Sequence, residues 1–191
     1  MARGPAGPDG HNGGVRESAE WTDIRPGRQA DVPAVLALLD DAVRWLTARG
    51  RPGQWGTGPL SDNPRLTALV TRIAAAGGLH LAVHGDEVVG ALGFGNPPAY
   101  VTPAAEPELY VVLLVTDRRR TGQGIGARLL DHARTLAARA GVGLLRVDCY
   151  AGDDQALVGY YERQGFTATE RFTMAQPADP WPGQVLEQRL R

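Results

Sequence analysis

The sequence predicts a mixed α/β fold, and two features of its hydrophobic pattern indicate this class. Apolar residues recur every three or four positions over residues 31–50, 63–78 and 125–140, which is typical of amphipathic helices. Short runs rich in Val, Leu and Phe follow the alternating or continuous apolar pattern of strands. Some of these strands are joined by a tight turn and others by a helix, so we expect hairpins and a helical crossover in the same domain.

The composition excludes several classes of protein. A net charge of −1 gives no basic field for nucleic acid or anionic membrane. A single cysteine, Cys149, rules out an intramolecular disulfide and favours a cytoplasmic protein. All 20 basic residues are arginine, as is typical of GC-rich bacterial coding. We therefore expect a cytoplasmic, bacterial monomer or homodimer with no nucleic-acid or membrane partner.

The chain divides into a tail and one domain. Residues 1–20 are rich in Gly, Pro, Asn and Ser and hold few large apolar groups, which predicts a disordered N-terminal tail. Residues 21–191 hold all the periodic segments and form a single predicted domain.

The first half of the domain begins with two predicted helices. Asp31 is the expected N-cap of the first, which ends near Gly50, and Asn63 caps the second. A hairpin follows, with its turn at residues 85–87. His80 and His84 alternate on one face of its first strand, where solvent-facing imidazoles are expected.

In the second half, residues 108–115 form a nearly continuous apolar run, which predicts a strand buried on both faces. A glycine loop and a helix to about Ala140 follow, then a strand over residues 143–150 and a short helix closed by Gly165. Residues 166–174 and 185–191 are predicted closing strands, joined by a Pro-rich loop.

The loop before the third helix is suited to binding an anion. Gly122, Gly124 and Gly126 leave backbone N–H groups accessible at the positive end of a helix, and residues 118–120 are three arginines. Gly122, Gly124 and Ala127 also satisfy a dinucleotide-binding pattern. That alternative, a nucleotide-dependent oxidoreductase, is disfavoured because "TDRRRT" separates the strand from the first glycine and a hairpin precedes it.

Two segments resemble the GNAT acetyltransferase family. "LLVTDRRRTGQGIGARLL" is similar to the family's acyl-CoA-binding motif, [Q/R]-x-x-G-x-[G/A] after a strand. "LLRVDCYAGDDQALVGYYERQGF" resembles its second signature, a strand, a short helix and Y-x-x-x-G-F. The resemblance implies a GNAT fold, in which a central, mostly antiparallel sheet is splayed between two parallel strands and flanked by helices.

The sequence departs from these motifs at two positions. With Gly124 and Gly126 as the motif glycines, the [Q/R] position is Thr121. A frame with Arg119, Gly122 and Gly124 restores the arginine but shifts the helix by two residues, so we prefer the first. Asp154 stands where the family often has an asparagine that donates an amide hydrogen bond to CoA.

The resemblance also implies site residues. The end of the central strand would offer its backbone to the pantetheine arm of acetyl-CoA, and the loop would hold the diphosphate. The predicted cofactor-binding residues are Leu113, Leu114, Val115, Arg119, Arg120, Thr121, Gly122, Gln123, Gly124, Ile125, Gly126, Asp154 and Tyr161.

Tyr161 and Glu108 are the predicted catalytic residues. By resemblance Tyr161 protonates the departing thiolate, while its neighbour Tyr160 is expected to pack. Glu108 begins the central strand and is a candidate base, with Asp148 as an alternative. Cys149 has no partner base in the sequence, so a covalent mechanism is not expected, and no cluster has metal-ligand spacing.

The acceptor side is the least defined part of the prediction. Trp45 and Trp55 either line a pocket for a small amine or belong to the core. We expect an enzyme that uses acetyl-CoA to acetylate a primary amine of a small molecule by direct attack. The alternatives are acetylation of protein or peptide amines, and a non-catalytic CoA-binding module.

Overall fold

We describe residues 23–152, 154–175 and 180–190 of a computed structural model; the predicted tail, residues 1–20, lies outside them. The strands are β1 (Asp23–Pro26), β2 (Leu79–His84), β3 (Glu87–Phe94), β4 (Glu108–Thr116), β5 (Leu144–Tyr150), β6 (Thr167–Met174) and β7 (Trp181–Arg189). The helices are α1 (Val32–Thr47), α2 (Pro64–Ala75), α3 (Ile125–Arg139) and α4 (Ala156–Arg163).

One sheet contains all seven of these strands, in the order β1-β2-β3-β4-β5-β7-β6. Every neighbouring pair is antiparallel except β4 and β5, which α3 connects as a parallel crossover. The predicted mixed α/β fold is therefore confirmed. β1, a four-residue edge strand that pairs with β2, was not predicted from the sequence.

The two parallel strands separate halfway along their length. Residues 108–111 of β4 pair with residues 144–147 of β5, and no pairing between the two strands continues beyond that point. From there β4 pairs only with β3, and β5 pairs only with β7. The sheet therefore opens between the carboxyl ends of its two central strands.

A β-bulge in β4 lies next to this opening. Leu113 pairs with Gly93, and Val111 pairs with Phe94, so Val112 is an extra residue without a partner in β3. A bulge bends its strand and changes which face the following side chains take. Val111 accordingly packs on the side of α3, whereas Leu113 packs on the side of α1 and α2.

The two largest hydrophobic cores cover the two faces of the sheet. On one face α3 and α4 bury Leu129, Leu130 and Tyr161 against the strands. On the other face α1 and α2 bury Leu39 and Val70. Each helix contributes one apolar stripe, as its three- to four-residue period predicts. The opening between β4 and β5 therefore has a packed layer on either side.

The two N-cap predictions have different outcomes. Asn63 caps α2, because its side-chain oxygen accepts hydrogen bonds from the backbone N–H groups of Arg65 and Leu66. Asp31 precedes α1 but makes no side-chain capping bond. Its carboxylate is instead bound by the Arg25 guanidinium, at 2.8 and 3.0 Å, and by the backbone N–H of Arg28. Asp31 therefore occupies the predicted N-cap position of α1, but its side chain does not cap the helix.

Two further predictions are corrected by tertiary contacts. The Pro-rich loop expected over residues 176–183 ends earlier, because β7 already begins at Trp181. Pro182 lacks an N–H, but its carbonyl accepts a hydrogen bond from Ala151. His80 does not face solvent: its imidazole lies 3.0 Å from that of His132 on α3.

Within the described ranges, no helix is long and apolar enough to cross a membrane.

Candidate active site

A cleft of about 820 Å³ occupies the opening between β4 and β5. Its walls come from the end of β4, the glycine loop, the start of α3, the loop after α1, and α4. This volume is in the range of small-molecule and cofactor sites. The following predicted site residues line it: Trp45, Leu114, Val115, Arg120, Thr121, Gly122, Gly124, Ile125, Gly126, Asp154 and Tyr161.

The glycine loop presents unpaired N–H groups to this cleft. Gly122 and Gly124 have φ values of +86° and +74°, a conformation that side chains other than glycine rarely adopt. Gly124 is the N-cap of α3. Among the described residues, the N–H groups of residues 124–127 have no backbone acceptor, and the first bond of α3 runs from Arg128 to Gly124. This end of the helix is therefore suited to holding an anion.

The three arginines before the loop have different surroundings. The Arg119 guanidinium lies outside the cleft and donates hydrogen bonds to Asp117 and Glu87. Arg120 lines the cleft, but Glu87 binds it at 2.9 Å. Arg118 also lines the cleft, and its buried Nε has no hydrogen-bond partner in the described chain. Burial lowers the Arg118 pKa, and its guanidinium lies over the Trp45 ring.

This arrangement corrects the prediction for Arg119. A buried cation without a carboxylate partner is costly unless a ligand supplies the negative charge. Among the described residues Arg118 has no carboxylate partner, so it is a candidate anion-binding residue that was not selected from the sequence. The sequence indicates Arg118 only weakly, because three consecutive arginines do not show which of them nearby carboxylates neutralise.

Gly126 has a packing role in addition to lining the cleft. A Cβ built on this glycine would lie under 3.0 Å from the hydroxyl oxygen of Tyr160. Tyr160 itself lines the cleft, so the expectation that it only packs was incomplete. The absence of a side chain at Gly126 therefore leaves room for the Tyr160 ring as well as access to the backbone.

Tyr161 is buried at the bottom of the cleft. Its ring packs edge-on against Tyr160 and Phe166, and 6 % of its surface is exposed. In the described part of the chain, no group forms a hydrogen bond with its hydroxyl. Burial, with smaller effects from Cys149, Tyr160 and Asp148, raises its pKa well above the usual value, so the phenol stays protonated.

The two residues that depart from the family motifs are both engaged elsewhere. The Thr121 hydroxyl donates a hydrogen bond to the Arg118 carbonyl at 2.8 Å, which stabilises the loop itself. Asp154 forms an ion pair with Arg51, 2.6 Å from the guanidinium, and both residues line the cleft. This pair links the loop after α1 to the loop before α4 across the cleft.

The two candidate bases lie on adjacent strands in different environments. Neither Glu108 nor Asp148 is among the residues that line the cleft, and the Glu108 carboxylate is paired with Arg146 at 3.2 Å. Asp148 is the first residue of β5 beyond the parallel pairing. The Tyr110 and Tyr100 hydroxyls donate hydrogen bonds to it, at 2.7 and 3.1 Å. Burial raises the Asp148 pKa, while these hydrogen bonds partly oppose the shift.

The remaining predicted residues are distributed between cleft and core. Trp45 lines the cleft between the guanidinium groups of Arg49 and Arg118, 4.0 and 4.9 Å from its ring centre. Trp55 packs against the α1–α2 core instead. Leu113 is buried in that core, and neither it nor Gln123 lines the cleft. None of the described His, Cys, Asp and Glu side chains form a group of three that could hold a metal ion.

The sequence and the fold of this chain are matched by known proteins. The model of the acetyltransferase (GNAT) family matches residues 39–166, more than half of the chain. The chain therefore belongs to the GNAT family, and it is an acyltransferase; the family uses acetyl-CoA as its acyl donor. The family match includes both motifs quoted above and every strand from β2 to β5.

Individual relatives agree with this assignment. The chain is 26 % identical over 160 residues to the uncharacterized N-acetyltransferase YesJ of Bacillus subtilis, covering 74 % of this chain and 79 % of the relative. The ribosomal-protein-alanine N-acetyltransferase of Brucella melitensis superposes with a TM-score of 0.65 at 22 % identity, over 88 % and 99 % of the two chains. The yncA protein of Salmonella typhimurium, solved with its cofactor acetyl-CoA, gives 0.63 at 17 %, over 89 % and 94 %.

Proposed function

We propose that the protein transfers the acetyl group of acetyl-CoA to a primary amine of a small molecule, by direct attack of the amine. One observation carries this proposal: a cleft opens between two parallel strands and ends at a helix N-terminus with unpaired N–H groups. An elongated molecule with a diphosphate in its middle suits such a cleft. The buried Nε of Arg118, which has no hydrogen-bond partner among the described residues, is a second group that fits an anionic ligand.

The chain's own residues would hold acetyl-CoA in three zones. N–H groups of residues 124–127 bind the diphosphate, and Arg118 adds a positive charge beside it. The backbone of β4 at Leu114 and Val115, which lacks a partner on the β5 side, binds the amide groups of the pantetheine arm. The bound cofactor supplies a thioester carbonyl as the electrophile.

Tyr161 is the proposed proton donor to the thiolate that leaves. Its raised pKa keeps the proton on the phenol before reaction, and its hydroxyl has no competing partner among the described residues. The state of Cys149 supports direct attack by the amine over a covalent intermediate on this thiol. Burial raises the pKa of the Cys149 thiol to about 12. A thiol with that pKa is almost entirely protonated at neutral pH and is a poor nucleophile.

The enclosed shape of the cleft favours a small acceptor. The loop after α1 approaches the end of β5 so closely that a Cβ on Gly53 would collide with the Tyr150 hydroxyl. Trp181 donates a hydrogen bond to the Gln54 carbonyl at 2.9 Å, which holds the same loop against β7. The Arg51–Asp154 ion pair adds a third link. A folded protein surface would have to displace these contacts, whereas a small amine would not.

A thiol-release assay with acetyl-CoA tests this function. Purified protein would be offered small amines, amino acids, aminoglycosides and peptides, with calorimetry to measure acetyl-CoA binding. We expect thiol release with a small primary amine, and we expect Tyr161→Phe to lower kcat with little change in acetyl-CoA affinity. Tyr160→Phe is the matched control, since it removes the neighbouring hydroxyl.

Each alternative gives a different result. Turnover only with peptide or protein amines would replace the small-molecule acceptor. Acetyl-CoA binding without turnover on any amine would favour a non-catalytic CoA-binding module. Equal kcat for Tyr161→Phe and the unmodified protein would remove Tyr161 from the mechanism.

A further inference from the structure

An isolated carboxylate lies where the two central strands separate. Asp148 follows Val147, the last residue of β5 that pairs with β4. Its neighbour Cys149 packs into the core under α3 and α4, so Asp148 points to the other face of the sheet. There its two oxygens accept hydrogen bonds from the hydroxyls of Tyr110 and Tyr100. The carboxylate therefore lies at the edge of the opening, on the side away from α4.

No cation within the described residues neutralises this carboxylate. Arg146, two residues earlier on β5, is bound instead by Glu108 and by the Thr102 carbonyl. A largely buried carboxylate without a cationic partner lowers the stability of the folded state. A cation supplied by a ligand would remove that cost, and the ammonium group of an amine acceptor is such a cation.

A row of aromatic rings extends from this carboxylate to the cleft. Tyr100 stacks on Phe172 with 4.6 Å between ring centres, and Phe172 lies 6.1 Å from Trp181. Trp181 lies 5.4 Å from Tyr150, which lines the cleft. All four rings are partly exposed, and Tyr100 is 41 % exposed. Adjacent, partly exposed rings favour a flat apolar ligand, because such a ligand can stack on them.

We propose that Asp148 binds the acceptor's ammonium group and removes its proton. The acceptor is an arylalkyl primary amine, and its ring contacts the aromatic row formed by Tyr100, Phe172, Trp181 and Tyr150. This inference rests on the proposed function and names the substrate class of the same site. The ring row contributes affinity and orientation, and Asp148 contributes charge recognition and proton transfer.

Each proton and electron pair in the proposed acetyl transfer has a defined source and destination. One proton moves from the ammonium nitrogen to the Asp148 carboxylate, which frees the nitrogen lone pair. That pair forms the new C–N bond at the thioester carbonyl, the C–S bond breaks, and Tyr161 protonates the sulfur. The nitrogen loses its second proton as the amide forms, and this proton restores the Tyr161 phenol. Asp148 releases its proton to solvent.

A panel of matched amines tests the substrate class. We would measure kcat and KM by thiol release for 2-phenylethylamine, n-butylamine and phenylalanine. 2-Phenylethylamine is expected to have the highest kcat/KM, at least about tenfold above n-butylamine, a ratio that corresponds to about 1.4 kcal/mol from stacking and burial of the ring. Phenylalanine carries a carboxylate beside its amine, which Asp148 would repel. A kcat/KM for n-butylamine or phenylalanine equal to that of 2-phenylethylamine would overturn the assignment.

Asp148→Asn, with Asp86→Asn as the matched control, tests the role of Asp148. We expect Asp148→Asn to lower kcat/KM by at least about 100-fold, the typical contribution of a general base. Its thermal midpoint should be equal or higher, because the amide carries no buried charge. Asp86→Asn, in the exposed turn between β2 and β3 and away from the cleft, should retain kcat/KM within about threefold, far less than the contribution of a general base. The opposite ranking, or a lower thermal midpoint for Asp148→Asn with unchanged kcat/KM, would refute the proposal.

The pH profile of kcat/KM distinguishes a catalytic role of Asp148 from a purely structural one, because a structural role would not shift the profile. The titratable groups around Asp148 are the hydroxyls of Tyr110, Tyr100 and Tyr161 and the thiol of Cys149. Because the Tyr100 hydrogen bond lowers the Asp148 pKa, Tyr100→Phe should move the acidic limb of kcat/KM to higher pH. An unmoved limb would overturn the assignment. Calorimetric titration of acetyl-CoA into the same samples separates this inference from the proposed function. If acetyl-CoA does not bind, the proposed function itself is contradicted, and not only the role of Asp148.

Discussion

Gly126→Ala should destabilise the protein only while Tyr160 keeps its hydroxyl. Gly126 is the second residue of α3, where alanine alone would gain up to about 1 kcal/mol of helix propensity. The new Cβ would however lie under 3.0 Å from Tyr160 Oη, and 3.4 Å from Cζ. Overpacking of this kind typically costs about 1–3 kcal/mol. The net expectation is a loss of about 1 kcal/mol in the free energy of unfolding.

Removing the hydroxyl should reverse the sign. In the Tyr160→Phe background the nearest ring atom is at an acceptable distance, and no hydrogen bond among the described residues is lost with the oxygen. Gly126→Ala should there be neutral or stabilising by about 0.5 kcal/mol. The two backgrounds thus differ by about 1.5 kcal/mol, a coupling well within the range for residues in contact.

Urea unfolding of the four proteins in this double-mutant cycle gives the coupling directly. For a chain of this length, a 1 kcal/mol change corresponds to roughly 2–4 °C in Tm, so thermal unfolding provides a second readout. If Gly126→Ala changed stability equally in both backgrounds, within about 0.5 kcal/mol, the Tyr160 ring would not lie against Gly126. That result would refute the described geometry of this wall of the cleft.

Two further predictions concern charge. Arg118→Gln should weaken acetyl-CoA binding by about tenfold, since a hydrogen bond to a charged group contributes about 1.5 kcal/mol or more, whereas Arg119→Gln should change it by less than about twofold. Equal effects in calorimetry would contradict the assignment of Arg118 as the arginine in the cleft. The pKa values of His80 and His132 are both lowered, chiefly by burial, so the folded state binds fewer protons than the unfolded state. Stability should therefore fall as pH drops below about 6.5, and His80→Gln should reduce that slope in urea unfolding between pH 7.5 and 5; an unchanged slope would exclude the pair as the cause.

Local features of the fold were predictable because they depend on neighbouring residues. The Asn63 cap, the turn at Gly85 and the start of α3 beyond Gly124 all follow from short-range backbone preferences. Asp31 failed as a cap because Arg25 competes for its carboxylate, and that contact forms only when β1 is in place. A four-residue edge strand has too little periodicity to be recognised from sequence.

The glycine loop that lines the cleft was predictable from the sequence, but the ion pairs of its arginines were not. The glycines indicated an anion site, since their conformational freedom is a local property. Which arginine is left without a carboxylate partner in the described part of the chain depends on Glu87, which is more than 30 residues away in the sequence and pairs with Arg119 and Arg120. The aromatic row likewise draws its rings from β5, β6, β7 and the loop before β4. Only the assembled sheet brings these side chains together.

The most direct test of the central claim is calorimetric titration of acetyl-CoA into the unmodified protein, Gly124→Glu and Gly141→Glu. The two glycines flank α3, have φ values of +74° and +67°, and have open space around the position of a Cβ. The substitutions therefore introduce the same backbone strain and the same charge, but only Gly124 lines the cleft. We predict one-site binding to the unmodified protein and to Gly141→Glu, and no detectable binding to Gly124→Glu. Equal affinity of all three proteins, or no binding to the unmodified protein, would contradict the assignment of the cleft as the acetyl-CoA site.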